Sequence, residues 1–134
     1  MKQEDKQLLL IDLSARLPYK VKGVYARTDI KNLSICEITA HLYGEMEESF
    51  NGKEKYEFIP YLRPMSSMTD EEKREVGKLG VCVDGAFHND IYDIGISMEE
   101  AFTAISWFLE RHFDINYLIE KGLALEAPED MYKQ

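Results

Sequence analysis

The stretch Tyr61–Glu72, YLRPMSSMTDEE, joins an extended apolar run to a helix start, and the fold is organised around it. Pro60, just before it, and Pro64, within it, fix their own φ angles and hold the preceding residues out of the helical region. Thr69 has Glu72 three positions later, a spacing that predicts a capping box, because each side chain accepts a hydrogen bond from a backbone N–H that the first turn leaves free. The sequence therefore predicts a rigid corner between a strand and a helix.

The best-marked helix lies C-terminal to this corner. Ser97 and Glu100 form a second capping-box pattern, which starts a stripe of apolar residues at helical spacing. The stripe consists of Met98, Ala101, Phe102, Ile105, Phe108 and Leu109. We expect this helix, residues 98–113, to pack across one face of a sheet. Asp114 is placed to cap a following short helix, which Gly122 ends.

The N-terminal half carries both helix and strand signals. An apolar face over Glu4–Leu17, closed by Pro18, predicts a helix. Runs rich in β-branched and aromatic residues predict strands at Tyr19–Arg27, Ile35–Tyr43 and Tyr56–Ile59. The pattern predicts an α+β fold: an antiparallel sheet of three to five strands, one long amphipathic helix packed on a face, and two or three shorter helices.

Length and composition indicate a single globular domain over residues 1–134, of which we expect residues 128–134 to fray. The longest purely apolar run, Leu8–Ile11, is far shorter than the roughly 20 residues that span a membrane, and no secretory leader precedes it. These features predict a cytoplasmic protein without a membrane segment. Cys36 and Cys82 have no partner at metal-binding or redox spacing, so we interpret both as buried, reduced thiols.

The net charge of −9 is unevenly distributed. Residues 1–63 hold ten basic and ten acidic side chains, whereas residues 64–134 hold six and fifteen. This acidic second half repels a nucleic-acid backbone and argues against direct nucleic-acid binding. A local basic segment remains in the first half, which we interpret as solvated positions rather than a binding patch. Its residues are Arg16, Lys20, Lys22, Arg27 and Lys31.

The most enzyme-like cluster consists of Asp84, His88, Asp90 and Asp93, whose imidazole and carboxylates are candidates for metal binding or proton transfer. Turns favour Asp because its side chain satisfies local backbone groups, so the cluster is interpreted first as a turn and second as a metal site. The chain has no hydrolase, P-loop, dinucleotide-binding or zinc-protease signature. We therefore expect no catalytic residue and no cofactor.

Three other polar features have a structural interpretation. Glu37 and His41 would lie about 13 Å apart along a strand, too far for a hydrogen bond, which indicates a polar surface. His112 ends the long helix, where the free carbonyls favour a cation, which indicates a capping role. Ser66 and Ser67 precede a helix start, but its acidic first turn would repel an anion, so we interpret them as turn residues.

Two runs stand out as text: YLRPMSSMT at Tyr61–Thr69, and the run from Trp107 through HFD at His112–Asp114 to LIEKGLALEAP at Leu118–Pro128. Together they cover about a third of the chain and resemble a family of small proteins encoded by phages and prophages of gut Bacteroidetes. Arg111 stands where a second histidine beside His112 would be expected. The resemblance carries over no functional residue. It implies a cytoplasmic accessory protein made from a mobile element.

Three functions are open at this point. The missing motifs and the acidic second half favour a non-catalytic accessory or protein-interaction domain, which binds an unknown partner of host or phage origin. The first alternative is a regulator of nucleic-acid transactions, acting as an acidic decoy or as a weak binder through residues 16–31. The second is a metal-assisted enzyme that uses residues 84–93.

Overall fold

The structure is a computed structural model that describes residues 2–27, 32–50, 56–79 and 98–132. Within these ranges it contains four α-helices and a four-stranded sheet, which confirms the predicted α+β class. The helices are α1 (Gln3–Arg16), α2 (Ala40–Phe50), α3 (Asp70–Gly77) and α4 (Met98–Glu110). The strands are β1 (Lys22–Arg27), β2 (Asn32–Glu37), β3 (Tyr56–Leu62) and β4 (Leu125–Glu126).

The strands lie in the order β2-β1-β3-β4. β1 is antiparallel to both β2 and β3, whereas β4 runs parallel to β3, so the sheet is mixed rather than purely antiparallel. Gly23 of β1 lies opposite Pro60 of β3. A Cβ atom at Gly23 would come within 2.5 Å of the Phe58 ring and 2.6 Å of the Ile59 carbonyl oxygen. Only glycine, which has no side chain, fits at this position.

One face of the sheet is covered by α1 and α2. Leu9 and Leu13 of α1 and Met46 of α2 are almost fully buried with Phe58 and Leu62 of β3. The same cluster takes in Val21, Ile38, Leu118, Leu123 and Ala124. The main core therefore lies between the sheet and the two N-terminal helices.

The strand predicted over Ile35–Tyr43 is wrong in its second half, because α2 begins at Ala40. Thr39 precedes this helix, and its Oγ1 accepts a hydrogen bond from the Leu42 N–H at 3.1 Å, as an N-cap residue does. Met46 follows Leu42 at helical spacing and is buried. Apolar and polar residues continue to alternate beyond the end of β2 at Glu37, through the turn and into the first residues of α2. This alternation led to the prediction of a longer strand.

The helix predicted across the sheet packs elsewhere. Ala104 and Phe108 of α4 are fully buried in a second cluster with Met65, Met68 and Val76, that is, with the corner and α3. The helical periodicity identified the apolar side of α4 but not the surface that it contacts. Within the described ranges, α1 and α2 occupy the place on the sheet that we expected α4 to fill.

The chain leaves α4, which ends at Glu110 rather than at the predicted residue 113, through a left-handed residue that is not glycine. His112 has φ +65°, and its N–H donates to the Leu109 carbonyl at 3.0 Å, while the Phe113 N–H donates to the Phe108 carbonyl at 3.0 Å. This pair of bonds is the Schellman motif, and the contact between Phe108 and Phe113 completes it. Beyond His112 the chain returns to the end of β3, where Phe113 forms a parallel bridge with Arg63.

Candidate functional site

The corner is built as the sequence predicts. The Glu72 N–H donates to Thr69 Oγ1 at 3.1 Å, and the Thr69 N–H donates to Glu72 Oε1 at 3.0 Å. Arg63 adds a two-pronged ion pair to the same carboxylate, with nitrogen–oxygen distances of 2.8 and 2.7 Å. Partial burial raises the pKa of Glu72, but the bonds from Arg63 and Thr69 outweigh it and hold that pKa below its usual value.

Arg63 also fixes the corner to the end of α4. Its guanidinium lies 4.1 Å from the centroid of the Phe113 ring, a cation–π geometry. Its backbone accepts a bond from Asp114 at 2.9 Å and donates one to His112 at 2.8 Å. Both the guanidinium and the backbone of Arg63 are therefore held by contacts with other residues. Residues 63–72 form one side of a cleft, which we call its first wall.

A second wall is formed by residues 126–132. The Ala127 N–H donates to the Leu62 carbonyl at 2.8 Å, which fastens the end of β4 to β3. The Tyr132 hydroxyl accepts a bond from the Lys22 N–H at 2.9 Å and donates to the Tyr61 carbonyl at 2.7 Å. It thus lies in the gap where β1 and β3 stop pairing. Of residues 128–134, for which we expect fraying, the structure describes 128–132, and the Tyr132 hydroxyl satisfies backbone groups that this gap leaves free.

The Tyr132 ring stacks on His112, with ring centroids 3.8 Å apart. Burial lowers the pKa of His112 to about 4, and the nearby positive charges of Arg16, Arg63 and Lys22 act in the same direction. The ring is therefore neutral at pH 7, and the expectation of a cationic helix cap at His112 is corrected. His112 ends the helix through its backbone instead.

The two walls enclose a cleft of about 660 Å³. Four carboxylates line it, those of Glu71, Glu72, Glu126 and Glu129, against the single guanidinium of Arg63. Arg63 is already paired with Glu72, so the carboxylates of Glu71 and Glu126 give the cleft an excess of negative charge. Its geometry and charge suit a positively charged group on a binding partner.

Asp12 and Arg16 of α1 form a fully buried ion pair beneath this region. Arg16 also donates to the Phe113 carbonyl at 2.8 Å, and Asn116 donates to Asp12 at 2.8 Å. The network joins α1 to the chain that follows α4. It corrects the interpretation of Arg16 as a solvated residue of a basic segment, since a buried guanidinium cannot reach a phosphate.

The predicted metal candidates Asp84, His88, Asp90 and Asp93 lie outside the described residues, as does Cys82. Within residues 2–27, 32–50, 56–79 and 98–132, no three metal-ligand side chains lie close enough to hold an ion. Cys36 is a partly buried free thiol, and burial raises its pKa.

The other polar residues singled out in the sequence have local partners. His41 lies on α2 rather than on a strand, where its Nε2 is 2.9 Å from Glu45 Oε1. Ser67 is a turn residue, as predicted, and its hydroxyl donates to the Pro64 carbonyl at 2.7 Å. Ser67 also lines the cleft. None of these contacts forms a catalytic arrangement of nucleophile and base.

Among the helices of the described ranges, none has the length and apolar character needed to cross a membrane. Comparison of the chain with protein-family models, curated proteins and solved structures finds no match.

Proposed function

We propose that this chain is a non-catalytic protein-interaction domain that binds a positively charged segment of a partner protein in the cleft between residues 63–72 and 126–132. The observation that carries the proposal is the charge of this cleft, where the carboxylates of Glu71 and Glu126 lie beside an Arg63 guanidinium that is already paired with Glu72. Charge complementarity of this kind speeds encounter and selects the partner.

We propose further that the partner is a protein of host or phage origin met in the cytoplasm, in keeping with the resemblance to mobile-element accessory proteins. The burial of Arg16 removes one cation from the basic segment that direct nucleic-acid binding would use.

The proposal is tested by fluorescence anisotropy with two labelled peptides, one alternating lysine with threonine and one alternating glutamate with threonine. We expect the lysine peptide to bind, to weaken with added salt, and to lose about fivefold to tenfold in affinity when Glu71 and Glu126 are both changed to Gln. The matched control is the double change of Glu4 and Glu120 to Gln, which removes the same charge from exposed positions that do not line the cleft. If both double variants lost the same affinity for the lysine peptide, this would contradict binding at the cleft.

A further inference from the structure

The cleft contains an open edge of the sheet. β4 is the last strand in the order β2-β1-β3-β4, and no other strand of the described ranges pairs with its outer side. Glu126 of β4 lies opposite Leu62, and the next residue, Ala127, donates its N–H to the Leu62 carbonyl. Because successive residues of a strand turn their backbone groups to opposite sides, the N–H and C=O of Glu126 face away from β3.

This edge is accessible and partly apolar. Glu126 lines the cleft, and its neighbour Leu125 is 40% exposed. A further strand placed beside β4 would cover part of Leu125 and satisfy the backbone of Glu126. Pro128, two residues on, has no N–H to offer, so pairing would be confined to a short length of chain.

We propose that the partner contributes an extended, basic segment that adds as a short strand along the outer edge of β4, within the cleft. The inference rests on the proposed function and specifies how the partner binds. In this mode, main-chain hydrogen bonds to Glu126 provide affinity, whereas lysine or arginine side chains that meet the carboxylates of Glu71 and Glu126 provide specificity.

Both walls of the cleft are formed before a partner arrives. Arg63 holds one wall through Glu72 and Phe113, and Tyr132 holds the other through Lys22 and Tyr61. A segment that enters therefore does not have to order the site, so less of the interaction energy is lost on binding.

The first test compares Glu126→Pro with Glu126→Gln. Both variants lose the carboxylate, but only the proline variant also loses the outward N–H, and neither removes a hydrogen bond to β3. We expect the lysine peptide to bind Glu126→Pro about tenfold more weakly than Glu126→Gln. Equal affinity for the two folded variants would overturn strand addition.

The second test leaves the protein unchanged, so it holds even where the proline variant fails to fold. The lysine peptide is replaced by one with two lysines flanked by valine and threonine, and each backbone amide is N-methylated in turn. Because the backbone of a strand has a period of two, methylation should weaken binding about tenfold at alternate positions only. A flat response would overturn strand addition while leaving cleft binding intact, whereas a failure of every lysine peptide to bind would overturn the proposed function itself.

Discussion

Tyr132 and His112 lie ring on ring, with centroids 3.8 Å apart and planes inclined by 19°. Through this contact the last described segment of the chain is fastened to the residue that ends α4. The Tyr132 hydroxyl at the same time bridges β1 and β3. One side chain thus connects the end of a helix, two strands and a wall of the cleft.

Replacing Tyr132 by Phe should lower the free energy of unfolding by about 1–2 kcal/mol. The ring can still stack on His112, but the Lys22 N–H and the Tyr61 carbonyl lose a partner in a partly buried place, which carries a cost of this size. Urea unfolding measures the change. Tyr19→Phe is the matched control, and an equal change in both variants would contradict a special role for the Tyr132 hydroxyl.

The stability of the protein should fall as the pH is lowered from 6.5 towards 4. The pKa of His112 is about 4 in the folded protein and near 6.5 when the chain is unfolded, so over this range the unfolded chain binds the proton first. The contribution of neutral His112 to the free energy of unfolding is therefore complete above pH 6.5 and is lost as the pH falls from 6.5 to about 4.

The variant His112→Asn isolates this effect, because Asn tolerates the positive φ of the position and does not titrate. Urea unfolding across the range should show a smaller loss of stability in the variant than in the unaltered protein. Parallel pH profiles would show that another group is responsible.

Removing one partner of the buried Asp12–Arg16 pair should be more harmful than removing both. Asp12→Ala leaves the charge of Arg16 buried without its counter-ion, which we expect to cost about 3–5 kcal/mol. Combining Asp12→Leu with Arg16→Met leaves no buried charge and should cost less. Glu75→Ala, which breaks the half-exposed pair with Arg111, should cost less than about 1 kcal/mol. A double variant less stable than Asp12→Ala would contradict this account.

The same substitution at two glycines should have opposite effects. Gly23→Ala places a Cβ against Phe58 and the backbone of Ile59, so it should destabilise the sheet by about 1–3 kcal/mol. Gly44→Ala lies within α2 with nothing inside 4 Å, so the higher helix propensity of Ala should stabilise the protein by about 0.5–1 kcal/mol. Thermal unfolding of both variants tests the pair, and a stable Gly23→Ala protein would show that the close contact between β1 and β3 can relax.

Local signals accounted for the parts of the fold that depend on neighbouring residues. The capping box of Thr69 and Glu72 forms as predicted. The short helix predicted after Asp114 is wrong, because those residues form turns, but Gly122 has φ +75° and ends the last of these turns. The start of α2 had a usable signal as well, since Thr39 precedes Leu42 and Met46 at helical spacing, but the alternation around it favoured a strand.

Local sequence signals do not reveal the cleft. Arg63 and Glu72 are nine residues apart in the sequence and were recognised as part of the corner, but not as an ion pair. The opposite wall comes from residues 126–132, and no sequence signal distinguishes Tyr132 from an ordinary residue of a frayed end. Its partners Lys22 and Tyr61 lie 110 and 71 positions away.

The sequence by itself determined the class of the fold, the corner after β3 with its capping box, and the extent of α1, because the local features depend on backbone angles and hydrogen bonds within a few residues. Only the tertiary structure decided that α1 and α2 cover the sheet, that α4 packs on the corner, and that β4 runs parallel to β3. An apolar face is compatible with any apolar surface of matching shape. Which one it meets depends on the packing of the whole chain, and so does the cleft that this packing leaves open.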